Sequence, residues 1–226
     1  MNGFKTLELD KRYNKLDESK EKNKMEINIR LENEKDYEKV ENLTREAFWD
    51  IYQPGCDEHL LAHKLRKVPA FIPELDFVAE LDGQIVGNIM YSKAKVGSTN
   101  GAELDVITFG PLSVLPEYQK NGIGVKLVKH TLALARELGY KAVLIFGNPA
   151  YYHRFGFINA EKYHITTADG QNFDAFMALE LYTGALAEAL GCFHEDPVFH
   201  CDRTELEEFE KSFSHKEKHV TDTQLR

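Results

Sequence analysis

Cysteine and positive charge are both scarce in this 226-residue chain, and each shortage removes a class of protein. Three cysteines, Cys56, Cys192 and Cys201, form no dense even-numbered framework, which argues against a disulfide-stapled secreted scaffold. The 28 lysines and arginines are outnumbered by 37 aspartates and glutamates, leaving a formal net charge of -9. Phosphate binding needs a basic face, so nucleic acid is set aside as the main partner. No apolar run approaches the roughly 18 residues of a membrane span, and no signal peptide opens the chain. Membrane is therefore set aside too, and the expected setting is a reducing cytoplasm.

What is present is the composition of a soluble globular protein, 42% hydrophobic and 29% charged. The opening residues, ending in LDESKEKNKM, are rich in charge and poor in core formers. They read as a charged extension over residues 1–24, ahead of a domain over 25–200 and a helical C-terminal extension over 201–226.

Within the domain, EINIR alternates as a first strand. Tyr37, Val40, Leu43 and Ala47 then recur at the three- and four-residue spacing of an amphipathic helix. DEHLLAHKLRK predicts a second helix, ended by Pro69. FVAELDGQIVGNIMYS predicts a hairpin turning at Asp82-Gly83, because a type I′ turn needs positive φ at both central residues. VITFGPLSV predicts a strand with a bulge or splay at Gly110-Pro111, since proline cannot donate to a ladder. Val128, Leu132, Ala135 and Leu138 mark a helix stopping at Gly139, followed by a buried strand AVLIF and another at AFMALEL. Thr204 and Glu207 fit a capping box for a closing helix to Phe213. One α+β domain follows from this order.

The stretch PEYQKNGIGVKL places Gly122 and Gly124 at the entry to a helix, where glycine costs about 1 kcal/mol relative to alanine. A strand, a Gly-rich turn and a helix together make an anion site, since the first helical N–H groups are unpaired and the macrodipole adds partial positive charge. Lys120, Asn121, Gly122, Ile123, Gly124 and Val125 are thus candidates to cradle a pyrophosphate, with Gln119 bracing the loop. The plainer alternative makes Gly122 a helix-start glycine and Gly124 a packing glycine. The spacing fits neither GxxxxGK[ST] nor a Rossmann GxGxxG.

GPLSVLPEYQKNGIG resembles motif A of the GCN5-related N-acetyltransferases, a hydrophobic strand followed by (Q/R)xxGx(G/A), with Gln119, Gly122 and Gly124 in those positions. IFGNPAYYHRFGF resembles the next motif of the family, with Tyr152 ahead of the closing Gly-Phe pair. The resemblance spans roughly residues 25–200, and it implies a mixed α/β fold: a mostly antiparallel central sheet, splayed at one strand, with helices on both faces. It further implies that backbone groups of Leu112, Ser113 and Val114 pair with the pantetheine arm of acetyl-CoA, that the turn holds the pyrophosphate, and that Asn148 and Tyr151 join the cofactor site. Tyr152 becomes the acid for the leaving thiolate, with the Val114 N–H stabilising the oxyanion. Asn148 stands four residues before Tyr152 where the family usually has seven, which implies a shortened connecting helix.

The implied activity is acetyl transfer to a primary amine in a ternary complex, because no cysteine lies in the motifs to form an acyl-enzyme. A lysine-like amine is only about one part in 2,500 neutral at pH 7, so a base matters. Glu103, Asp105 and Glu80 are candidates, each also readable as a surface carboxylate, and a water chain is the alternative. Trp49, Tyr52 and Phe71 lie where the family tends to build its acceptor pocket. Cys192, His194, His200 and Cys201 lack a familiar zinc spacing, so no metal is expected. His215 and His219 fall at i, i+4 on an expected helix. The rival reading is a non-catalytic acyl-CoA sensor. Exposed strand edges, which often pair in such folds, keep a homodimer among the expected partners.

Overall fold

The computed structural model describes residues 26–97, 101, 103–222 and 224; the expected N-terminal extension lies outside the described residues. In chain order the elements are β1 (Asn28–Leu31), α1 (Tyr37–Phe48), α2 (Glu58–Leu65), β2 (Phe77–Leu81), β3 (Gln84–Gly97), β4 (Glu103–Val114), α3 (Ile123–Glu137) and β5 (Ala142–Phe146). There follow α4 (Pro149–Tyr152), β6 (Ile158–Asn159), β7 (Ile165–Thr166), β8 (Phe176–Glu180), β9 (Gly191–His194) and α5 (Arg203–Glu210). The sheet runs β1-β2-β3-β4-β5-β8-β6, with β9 on the far end of β3 and β7 on β9. It is antiparallel except at β4/β5 and β7/β9.

Local chemistry explains the elements. Asp82 (φ 50°) and Gly83 (φ 80°) make the β2–β3 turn as their residue types demand. Val40 and Leu43 of α1 bury against Val78 and Ile85. Ile123, Leu127, Val128 and Ala135 of α3 bury against the opposite face of the sheet, beside Val143 and Ile145. Between Ile89↔Leu112 and Tyr91↔Phe109, three steps on β4 meet two on β3. The extra β4 residue falls at Gly110-Pro111, the bulge expected where proline removes a donor. Beyond it β4 and β5 part: their pairing is the single register point Ile107↔Val143.

The C-terminal part differs from expectation. α5 is capped by Asp202, whose side chain accepts from Glu205 N at 2.9 Å, not by Thr204. Residues 214–221 have no regular structure, so His215 and His219 share no helix face. This strap lies on α1 and the loop after it. Trp49 Nε1 donates to Glu217 O at 2.9 Å, and Asp50 Oδ2 accepts from His219 N at 3.1 Å. At the root of the strap, Arg45 makes a forked pair with Glu210 at 3.0 and 2.9 Å, its own side chain 5% exposed. Burial holds the neighbouring His59 down at about 4, so it faces Glu210 as the neutral imidazole at pH 7.

Removing one partner of a buried ion pair leaves an uncompensated charge, a loss of about 3 kcal/mol or more. Glu210→Ala is therefore expected to lower the unfolding free energy by about 3 kcal/mol in a urea titration at pH 7; a change within about 0.5 kcal/mol contradicts a fastening role.

Candidate active site

The parting of β4 from β5 leaves one edge of β4 without a ladder partner. Leu115 N donates to Val86 O at 3.0 Å, which places every second residue of β4 in the ladder to β3. By that parity Ser113 bonds Asn88, whereas Leu112 and Val114 turn their N–H and C=O groups to the opening. The expectation for Ser113 is corrected accordingly: its backbone belongs to the β3 ladder, and its buried hydroxyl donates to Thr44 Oγ1 at 3.1 Å. Gln119 Nε2 donates to Val114 O at 3.1 Å, tying the turn to the strand and leaving the Val114 N–H for the opening.

The turn continues through Lys120 (φ 63°) to Gly122 (φ 80°), the N-cap of α3. No side chain caps this helix, and the first intrahelical bond is Lys126 N to Gly122 O at 3.0 Å. The N–H groups of Ile123, Gly124 and Val125 therefore face outward with no intrahelical acceptor. Asn121 Nδ2 donates to Tyr118 O and Gln119 O, both at 3.2 Å, and fixes the loop. The two glycines have different causes. At Gly122 a Cβ would meet open space, so the positive φ is what requires glycine. At Gly124 a Cβ would lie 2.7 Å from the Tyr151 hydroxyl, so any side chain there would displace the end of Tyr151.

β5 leads into α4, a single turn capped by Asn148, whose Oδ1 accepts from Ala150 N at 2.9 Å. The shortened spacing before Tyr152 is this one turn. Tyr152 packs among Phe109 (5.8 Å between centroids), Phe157 (5.9 Å) and Tyr151 (4.9 Å). Its ring covers Gly147, where a Cβ would stand 2.3 Å away, a constraint with no local signal in the sequence. Burial, then the nearby Tyr151 and Tyr52 phenols, push its hydroxyl above the ordinary tyrosine range, so it stays protonated at pH 7. Among the described residues that hydroxyl has no hydrogen-bond partner.

The expected acceptor-side residues separate. Trp49 is buried under the strap, and Phe71 packs beside the Ala62–Leu65–Met90–Val198 cluster. Tyr52 is half exposed, and its phenol acts on Tyr152. None of the three candidate bases reaches the opening. Glu103 pairs with Lys95 at the far end of β4, Asp105 is exposed opposite Lys95, and Glu80 holds Arg30 at 2.9 Å. Two carboxyls not singled out from sequence are pushed up to about 7: Glu58, by burial and then Asp57, and Glu195, by burial alone. Among the described residues Cys192, His194, His200 and Cys201 gather into no ligand cluster.

The chain is similar to known proteins in sequence and in fold. Residues 38–157 match the model of the acetyltransferase (GNAT) family. The chain belongs to this family. It is 32% identical over 170 residues to the uncharacterized N-acetyltransferase YhbS of Escherichia coli, covering 74% of this chain and 96% of that one. The crystal structure of YhbS in complex with CoA superposes with a TM-score of 0.69, at 29% identity over 78% of this chain and 93% of that one. A GNAT acetyltransferase from Brucella melitensis in complex with acetyl-CoA gives 0.61, at 29% identity over 78% of this chain and all (100%) of that one. A match to YjhQ of E. coli, 34% identical, covers 38% of this chain and 46% of that protein. The sheet order and the split after Ile107 are thus the GNAT fold, and no helix among the described residues is long and apolar enough to cross a membrane.

A left-handed conformation costs an L-residue about 1–2 kcal/mol. Gly122→Ala is expected to destabilise the protein by about that amount in thermal or urea unfolding while its surroundings stay in place.

Proposed function

We propose that this acetyltransferase moves the acetyl group of acetyl-CoA to a primary amine by direct attack within a ternary complex. The observation that carries the reading is the free edge of β4 at Leu112 and Val114, running straight into the uncapped start of α3. An extended pantetheine arm, which carries amides, completes the missing ladder as an added strand. The pyrophosphate meets the outward N–H groups of the turn from Lys120 through Asn121, Gly122, Ile123 and Gly124 to Val125. Gln119 holds the turn in place, Tyr151 stands over Gly124, and Asn148, the cap of the helix that carries Tyr151, is assigned to the cofactor site with it. With Gly124 bare, the anion reaches the helix start under the Tyr151 hydroxyl.

The chemistry follows from what faces the opening. The Val114 N–H stabilises charge developing on the thioester oxygen. Tyr152, protonated and unpartnered, gives its proton to the departing thiolate. Direct attack is favoured because no cysteine lies in the motifs and two of the thiols, Cys56 and Cys201, are held as poor nucleophiles. Cys56 is buried against His59 with its thiol pushed well up, and burial raises Cys201 to about 11.

Two measurements test this. Calorimetry should give micromolar binding of acetyl-CoA to the wild type, weakened about 100-fold or more by Gly124→Glu, whose carboxylate occupies the anion position. A folded wild type that binds no acetyl-CoA ends the proposal. Tyr152→Phe should leave the acetyl-CoA Kd unchanged and lower kcat about 100-fold, the scale of one general acid. Unchanged turnover removes Tyr152 from the chemistry, and binding without transfer to any amine points to the sensor instead.

A further inference from the structure

Attack by an amine also needs a group that removes its proton, and the residues at the opening designate one. We infer that Glu195 is the catalytic base, placed on the face of the split sheet opposite Tyr152; the inference rests on the acetyl-transfer reading above.

Ile107↔Val143 is the last paired point of β4 and β5, so Gly110 and Phe146, each three residues further on, face one another across the opening. Alternation along β4 turns Phe109 to the side of Tyr152 and Gly110 to the other side. Along β5, Ala142 and Leu144 lie in that other layer and Phe146 follows them. One segment touches both lips. The Phe193 ring lies 6.0 Å from the Phe146 ring, and Phe199 Cε1 lies 3.6 Å from where a Cβ on Gly110 would stand. Residues 193–199 therefore bridge the opening from beneath, and Glu195 stands on the bridge.

Its direction follows from the strand before it. Phe193, 2% exposed, packs into the layer beneath the sheet, and exposed His194 faces out beside Lys95. β9 ends at His194, and Glu195, the next residue, is half-buried rather than exposed, so its side chain turns back inward. Asp196 is engaged in capping, its Oδ1 accepting from Val198 N at 2.9 Å. The ionisable groups on the surrounding elements are His194 and Asp196 beside it, Lys95 on β3, Glu58 on α2 and His200 beyond Phe199. None of them shifts Glu195, which burial alone raises.

The proton route then balances. The amine nitrogen forms its bond to the acetyl carbon from the Glu195 side while the Glu195 carboxylate takes the N–H proton. The C–S bond breaks, and the thiolate takes the Tyr152 proton on the other side. Amide and CoA thiol leave, Glu195 returns its proton to water and Tyr152 regains one. Two groups on opposite faces act without neutralising each other. A carboxylate with no hydrogen-bond partner among the described residues also explains why a half-buried Glu persists there: its charged form is disfavoured in the fold and useful in the reaction.

The test compares wild type, Glu195→Gln, Glu195→Asp and Glu58→Gln. CoA thiol release is followed with a panel of spermidine, an aminoglycoside and a tripeptide N-terminus, from pH 5.5 to 9. Wild-type kcat/KM should rise through an apparent pKa of about 7, because the base acts when deprotonated. Glu195→Gln should lose that limb and about 100-fold in kcat/KM with its acetyl-CoA Kd intact, Glu195→Asp should keep the limb at a reduced rate, and Glu58→Gln should keep it. Stability gives an activity-free readout. A carboxyl raised from 4.5 to about 7 in the fold loses stability as pH rises between those values, so Glu195→Gln should melt above wild type at pH 8 and level with it at pH 4. An active wild type whose limb survives in Glu195→Gln, or disappears in Glu58→Gln, overturns this assignment alone. A Glu195→Gln protein that melts lower at pH 8 overturns it too, by making the carboxylate a structural partner. A wild type that binds acetyl-CoA and acetylates none of the panel overturns the transferase reading and this inference with it.

Discussion

The fold depends on one broken ladder. Two parallel strands that pair at a single residue and then diverge leave backbone N–H and C=O groups uncovered in the middle of a sheet, where such groups are ordinarily paired. A sheet tolerates this only if something else completes the bonding. Each neighbouring feature supports the gap. The extra residue at Gly110-Pro111 bends β4 away, Gln119 ties off the Val114 carbonyl, and the turn to α3 brings a row of outward amides to the end of the exposed edge. Donors are concentrated along one line, the pattern that suits a ligand with amides at one end and phosphates at the other.

Around this line the two faces of the sheet carry different material. The α3 face is a continuous apolar layer into which Tyr152 is sunk, so its phenol is kept neutral by its surroundings. The other face is assembled from pieces distant in sequence: α1, α2 and the β9 segment. It holds the half-buried carboxyls. The buried phenol and the half-buried carboxyls are thereby sorted by layer, each shifted mainly by loss of water.

Much of the scaffold was legible from local rules. Asp82-Gly83 announces its turn because few other pairs take positive φ twice, and the α1 and α3 stripes announce their buried faces by period. The glycine turn and Tyr152 were legible because they sit in contiguous motifs. What escaped depends on contacts between distant segments. Thr204 looked like a cap until Asp202 supplied a better-placed acceptor, and residues 214–221 looked helical although their bonds go to Asp50 and Trp49 instead. Ser113 was grouped with Leu112 and Val114 because sequence does not show which residues alternate into which ladder. Glu195 could not be singled out, since it follows a four-residue strand with no periodic signal and its flanking residues Phe193 and Phe199 pack on β4, β5 and β8, distant in sequence.

The strap has a consequence for how the protein is made. Trp49 leaves the ribosome long before its partner, for 168 positions separate it from the Glu217 carbonyl that its indole N–H awaits. The central sheet can assemble in the meantime from nearer neighbours, but the loop carrying Tyr52 stays unfastened until the strap emerges. The junction of α1, its following loop and the strap is thus the last part of the fold that can close.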